Sequence, residues 1–401
     1  MPDVAQAPHV SDFDMFELEP VCDPQTFDGR LRELAPAVYL ERYDIWVTGR
    51  HEHVYEAARD WEAFSSTSRP FHDPNSIRPE ILLTDDPPEH PRVRAVIQRA
   101  ISPAVIKRMR EDFVREADAH VERLLAGASP GRAVELDGRH DIASPFVLKV
   151  FPDAIGLPEE GREHLVRFGD AAFNTFGPPN EIFHEGLRKG ADALEWVAVN
   201  CKPEVMRPGG MGATIYAAAE SGEIGWDEAE LLVMTLFAAG SDTTIFGIGN
   251  LLQAFARFPD QWDALRADPS RARAAFEEML RYDCPARYGG RITTRAVEFD
   301  GVEIPEGARL LLLWLAAGRD PRRWENPDRY DLGRKVTGHI GLGFGIHACV
   351  GQALARMEGE TLFAALARRV ERIELAGEPE AAVNMAAHGH EHLPLALHVA
   401  S

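Results

Sequence analysis

The chain has 401 residues, 45% of them apolar and 27% charged, an ordinary globular composition that excludes disorder, collagen and disulfide scaffolds. Lys and Arg number 43 against 64 Asp and Glu, a net charge of −21, and a field of that sign repels phosphate, so neither nucleic acid nor an anionic membrane is an expected partner. The four cysteines, Cys22, Cys201, Cys284 and Cys349, are far apart with no CxxC pair, which argues against a zinc site or a disulfide framework and for a reducing compartment.

Residues 1–20 read as a loose leader. They have no basic or apolar signal region, and no later window approaches the ~18 consecutive apolar residues of a membrane span, so a cytoplasmic location is expected. Residues 21–401 are expected to form one domain. Residues 37–40 and 43–48 are short strands rich in Val, Tyr, Ile and Trp. Helical period then runs through 92–99, 105–125, 142–151, 161–173, 182–199, 226–258 and 270–282. Asp300-Gly301 between two short apolar runs predicts a hairpin, with a strand following at 309–315. Helix returns at 349–370, and 373–399 reads as strands. The fold class is mainly α with a small β portion, an α+β arrangement.

Residues 341–351 carry the densest chemistry. Glycines at 341, 343 and 345 suit neither helix nor strand and imply a tight turn under close approach. A dinucleotide loop would need glycine where Ile346 stands. The other reading is Cys349 presented at a helix start, where backbone amides favour thiolate, as in haem iron held through sulfur. Gly343, Gly345, His347, Cys349 and Gly351 resemble the cysteine-ligand motif of the cytochrome P450 superfamily, with Leu342 replacing its leading aromatic.

Three further segments support the resemblance. Glu278-Met-Leu-Arg281 is similar to the superfamily's E-x-x-R, with Arg334 as a third member of a structural charge network. Ala239-Gly-Ser-Asp-Thr-Thr244 interrupts an apolar helix with poor helix formers, which suggests a local opening at a functional site. It resembles the oxygen-activation motif, so Asp242 and Thr243 are implied to deliver protons. By the same resemblance His90, Arg94, Arg291 and His347 hold the haem propionates. The implied fold has a long central helix over haem b, and the implied reaction uses O2 with two electrons from NAD(P)H through a reductase and a ferredoxin.

The resemblance is nearest to soluble bacterial members that oxidise para-substituted benzoates, including methoxybenzoate O-demethylases. It implies an aromatic pocket at Phe173, Phe176, Thr235, Ala239 and Ala386. The central helix reads Met234, Thr235 and Ala238, with no charge to anchor a carboxylate, leaving Arg78 or Arg287. Gly289-Gly290 replaces bulky aromatics and is expected to open space. A methoxyphenol of guaiacol or syringol type, or a methoxybenzoate, is the implied substrate. Arg92, Arg99, Lys107, Arg108 and Arg110 form a basic run, with Arg94 reserved for a propionate, that would suit an acidic ferredoxin; a solvated helix face is the other reading. His388, His390 and His392 alternate and would share a strand face, yet with no nearby Cys they are not read as a metal site. The rival functions are peroxide-driven haem-thiolate chemistry, which the Asp242–Thr243 pair argues against, and a non-catalytic haem sensor, which would need an output segment. The protein is expected to be a monomer.

Overall fold

A computed structural model of the chain describes residues 9–67, 71 and 81–400. Arg78 lies outside them. The segment expected to be loose is packed from residue 9 onward: His9–Ser11 pairs in parallel with Val38–Leu40, and Met15 and Phe16 are buried.

A six-stranded sheet runs in the order His9–Ser11, Val38–Leu40, Ile45–Thr48, Arg309–Leu313, Tyr288–Thr293, Phe64–Ser65. A three-stranded sheet joins Val370–Leu375, Pro394–Val399 and Ala133–Asp137. Two two-stranded sheets, Glu380–Ala381 with His390–His392 and Val297–Phe299 with Val302–Ile304, and the helices complete the fold. The hairpin forms as the Asp-Gly pair predicts: Asp300 and Gly301 take φ of 47° and 84° between Val297–Phe299 and Val302–Ile304.

Two helices read as continuous are each two. Residues 182–199 divide into Glu181–Lys189 and Ala191–Asn200. Gly190 lies between, and a Cβ there would crowd the Ala171 methyl. The central helix divides into Trp226–Gly240 and Asp242–Arg257, with Ser241 at φ −92°, ψ −70° between them. Together these two are long and apolar enough to cross a membrane by composition, yet 67% of their most apolar window is buried in the core. Helices at Pro24–Leu34, His51–Arg59, Met211–Glu220 and Pro259–Ala267 had no clear signature in the sequence.

The cysteine loop is seated by the helix Ala272–Tyr282. Glu278 and Arg281 are both fully buried, and Arg281 Nε and Nη2 donate to the two Glu278 carboxylate oxygens at 2.8 and 2.7 Å. Arg281 also donates to the carbonyls of Gly318, Pro327 and Arg329. Arg334 Nε completes the group at 3.1 Å from Glu278, and the Asp331 N–H bonds the same carboxylate. The preceding residue, Glu277, accepts from His339 and Arg356, tying the segment before the loop to the helix Gln352–Arg369 after it.

Removing one partner of a buried, hydrogen-bonded ion pair strands the other charge, at a cost of about 3–5 kcal/mol. Glu278→Ala should therefore lose about that much stability in urea unfolding, whereas Arg92→Ala, at an exposed pair, should lose less than about 1 kcal/mol. Equal, small losses in both would show that the network does not hold the fold.

Candidate active site

The loop 341–351 carries Cys349 to the start of Gln352–Arg369. Gly343 and Gly345 take φ of 67° and 71°, a region that excludes most side chains. A Cβ on Gly341 or Gly345 would also overlap the backbone carbonyl of Leu280 or Ala58. The Cys349 N–H donates to Leu342 O at 2.8 Å. Burial pushes the Cys349 thiol up, while the Gly351 amide, Arg94, Arg356 and the Gln352 amide pull it back. A metal cation at the sulfur would tip that balance to thiolate.

Four basic side chains gather beside this loop. The rings of His90 and His347 lie 4.5 Å apart. Arg94 Nη2 donates to Ala348 O at 2.6 Å, the residue before the cysteine. His347 is pushed down to about 3, first by burial and then by the positive charges of Arg291, His90 and Arg94. Arg291 is pushed down to about 10 by burial, with Asp86 opposing. Among the described residues, His90 Nε2, His347 Nε2 and Arg291 Nε are buried without a hydrogen-bond partner. Buried donors left without partners are costly, and a ligand bearing two carboxylates would satisfy them. The donor set therefore fits haem, whose iron would be held at the Cys349 sulfur and whose propionates would be held at this cluster.

Across the central helix break, Ser241 and Asp242 are buried and neither side chain has a hydrogen-bond partner among the described residues. Asp242 is held well above the usual carboxylate range by burial and then by the nearby Asp170, which Arg139 only partly offsets. Gly169 permits the approach of the neighbouring helix, because a Cβ there would sit 2.5 Å from Asp242 Oδ2. Thr243 Oγ1 donates to Ala239 O at 2.8 Å. A second acid was missed in the sequence. Glu358, fully buried on Gln352–Arg369, is pushed up to about 8 by burial despite a hydrogen bond from Thr244. Its signal was there to be found, since it falls on the helix face of Leu354 and Leu362.

Phe173 and Phe176 stack at 5.7 Å against Met385 and Ala386. The turn bearing Ala386 is held by Asn384, which donates to Asp170 and accepts from the Ala386 and Ala387 amides. Ala239, on the central helix, is exposed, and Thr235 turns its hydroxyl back onto Leu231 O. Two expectations fail here. Gly289 opens no room, because the Trp314 indole lies 2.5 Å from where its Cβ would be. Arg287 is fully buried and donates to both Asp28 oxygens, at 2.9 and 2.7 Å, so its charge is already matched.

The basic run is also altered. Arg92 pairs with Glu89 and Glu228, Arg99 with Glu223, and Arg110 with Glu360. Lys107 and Arg108 are the members left exposed with no such partner among the described residues. The three alternating histidines part company: His388 donates to Asp283 at 3.0 Å, His390 is buried, and His392 turns toward Asp137.

With a cysteine loop, a cation cluster and a broken central helix around one centre, the chain has the parts of a haem-thiolate oxidase. Residues 141–389 match the family described as Cytochrome P450. The chain is 44% identical over 398 residues to cytochrome p450 CYP199A2 of Rhodopseudomonas palustris, covering 98% of this chain and 95% of that protein. It is 30% identical over 362 residues, 88% of either chain, to erythromycin C-12 hydroxylase of Saccharopolyspora erythraea. Among solved structures, a mutant of P450 EryK in complex with erythromycin B superposes with a TM-score of 0.80 at 28% identity, covering 94% of this chain and 97% of that one. The chain belongs to the cytochrome P450 family and is a haem b monooxygenase.

Because the folded state keeps a proton on Asp242 that the unfolded chain loses near pH 4, stability attributable to this group falls as pH rises above that value. Asp242→Asn should raise the thermal midpoint at pH 7–8 and narrow its difference from pH 5. An unchanged midpoint at both pH values would mean that Asp242 is ionised in the fold.

Proposed function

We propose that this P450 is a cytoplasmic enzyme that hydroxylates or O-demethylates a small, uncharged methoxy-aromatic compound, with a guaiacol-like methoxyphenol favoured over a methoxybenzoate. The observation that carries the choice is that, of the two candidate anchors, the one among the described residues, Arg287, is neutralised by Asp28 beside a wall of stacked phenylalanines. A flat ring packs well on such a wall, while burying a carboxylate without a cation is very costly. Trp314 over Gly289 fills the space expected at that glycine, which weakens the case for a syringol shape.

In this reading Cys349 holds the iron through its thiolate, framed by Gly343, Gly345 and Gly351. His90, Arg94, Arg291 and His347 hold the propionates. Haem b, when bound, supplies dioxygen activation using two electrons delivered singly. The chain supplies position and protons. Asp242, whose burial raises its proton affinity, is the proton source. Thr243 donates its own hydrogen to Ala239 O, which leaves its oxygen lone pairs to accept a proton from that source. Asp170 and Arg139 bias the proton affinity of Asp242 from the far side. Insertion of one oxygen atom into a C–H bond of an O-methyl group gives a hemiacetal, which collapses to a phenol and formaldehyde.

The test is to compare guaiacol with 4-methoxybenzoate for haem spin shift and formaldehyde release. Guaiacol should bind and be demethylated more tightly coupled to NAD(P)H use. Thr243→Ala should keep the spin shift while product falls by about 10²–10⁴-fold and peroxide rises. Tight, coupled turnover of the benzoate alone would overturn the substrate reading; unchanged coupling in Thr243→Ala would remove Thr243 from proton delivery.

Electrons are proposed to arrive from an acidic ferredoxin at Lys107 and Arg108, since the other cations of that face are matched internally. Reversing both to Glu should slow ferredoxin association and flatten its salt dependence, with substrate affinity unchanged. The same reversal of Arg99 should do far less. An association rate that ignores salt in the unmodified enzyme would refute this docking face.

A further inference from the structure

The strand Ala133–Asp137 ends where the six-residue turn Gly138–Ala143 begins, and the short strand His390–His392 ends beside it. We infer that Asp137, His140 and His392 form a binding site for a zinc-class divalent transition metal, remote in role from the haem chemistry. Their ligand atoms all lie within 4.8 Å of one another. His392 Nδ1 is 3.2 Å from Asp137 Oδ2, close to the ~3.3 Å that separates neighbouring ligands of a tetrahedral ion with bonds of about 2.0–2.1 Å. The rings of His140 and His392 are 5.0 Å apart and tilted by 50°, so they do not stack flat against each other and both edges can turn to a common point.

The scaffold holds these groups before any ion arrives. Asp137 Oδ1 accepts the backbone N–H groups of Arg139 and His140 at 2.8 and 2.9 Å, which fixes the carboxylate and the start of the turn that carries His140. Oδ2 accepts the Leu393 N–H at 3.3 Å, which fixes the residue after His392. Asp137 pairs in register with Pro394 across the sheet, and Gly138 N donates to Leu393 O at 2.7 Å. The carboxylate therefore keeps lone-pair capacity on Oδ2 for an ion. On binding, the His392 ring proton moves from Nδ1 to Nε2, so that neutral imidazole is the ligand. Two imidazoles with one carboxylate select zinc, nickel or copper over the oxygen-seeking magnesium and calcium. His140 and His392 are exposed, so the ion has an entry path and its fourth position is open to water. The ion would staple the turn to the strand.

The test uses the haem-loaded enzyme, so that Cys349 is occupied, stripped of loose metal and titrated with zinc chloride by calorimetry. One equivalent should bind and raise the thermal midpoint, and magnesium chloride should do neither. His140→Ala and His392→Ala, both at exposed positions, should each weaken that event by more than about tenfold, the least that losing even an outer-shell partner typically costs. His398→Ala, at the exposed Glu374 pair, should leave it intact. Zinc binding unchanged in both His140→Ala and His392→Ala, or lost in His398→Ala instead, would overturn the site; so would the absence of any zinc binding.

Discussion

The pair of Glu278 and Arg281 is the constraint from which the active centre hangs. Three carbonyls from two stretches, Gly318 on one and Pro327 and Arg329 on the other, converge on one fully buried guanidinium, and a guanidinium in such a place is tolerable only if nearly every donor is used. Its planar fork supplies that geometry, which a lysine could not. The helix bearing it presents the Leu280 carbonyl to Gly341 so closely that no side chain fits there. The cysteine loop therefore rests on backbone, and its glycines follow from contact rather than from flexibility. Glu277, next to Glu278, fixes both flanks of the same loop through His339 and Arg356.

Around that fixed centre the fold accepts unfavourable electrostatics. Asp242 and Glu358 are buried acids held toward their neutral forms, while Arg94 and Arg291 bring positive charge beside His90 and His347, whose own protonation burial and that charge oppose. Neither arrangement stabilises the chain alone. The first makes sense as proton storage next to a reaction that consumes protons. The second makes sense as a receptor for a dianion. Perturbed groups of this kind cluster where chemistry occurs.

Selectivity rests on quieter contacts. The asparagine Asn384 bonds Asp170 and two amides of the turn holding Ala386, so the pocket wall and the carboxylate behind Asp242 share one support. The Phe173–Phe176 stack joins Phe173, on the helix segment that follows Asp170, to Phe176 just beyond the helix end.

Much of this was readable in local patterns. Glycine spacing around Cys349, the polar interruption at Ala239–Thr244, the i, i+3 pair Glu278–Arg281 and the Asp-Gly hairpin all depend on neighbours within a turn or two, where backbone geometry dictates residue type. The break at Ser241 was foreshadowed by composition, though not its place. The partners of isolated charges and the filling of space were not readable. Arg287 meets Asp28 from 259 positions away, Arg92 meets Glu228 from 136, and Trp314 covers Gly289 across paired strands. The same holds for His392, which meets Asp137 from 255 positions away instead of joining its alternating neighbours. Backbone rules act over one or two turns of chain and so leave their mark in adjacent residues. Charge pairing and packing act through space, and which distant groups meet is settled only when the helices and sheets have closed on one another.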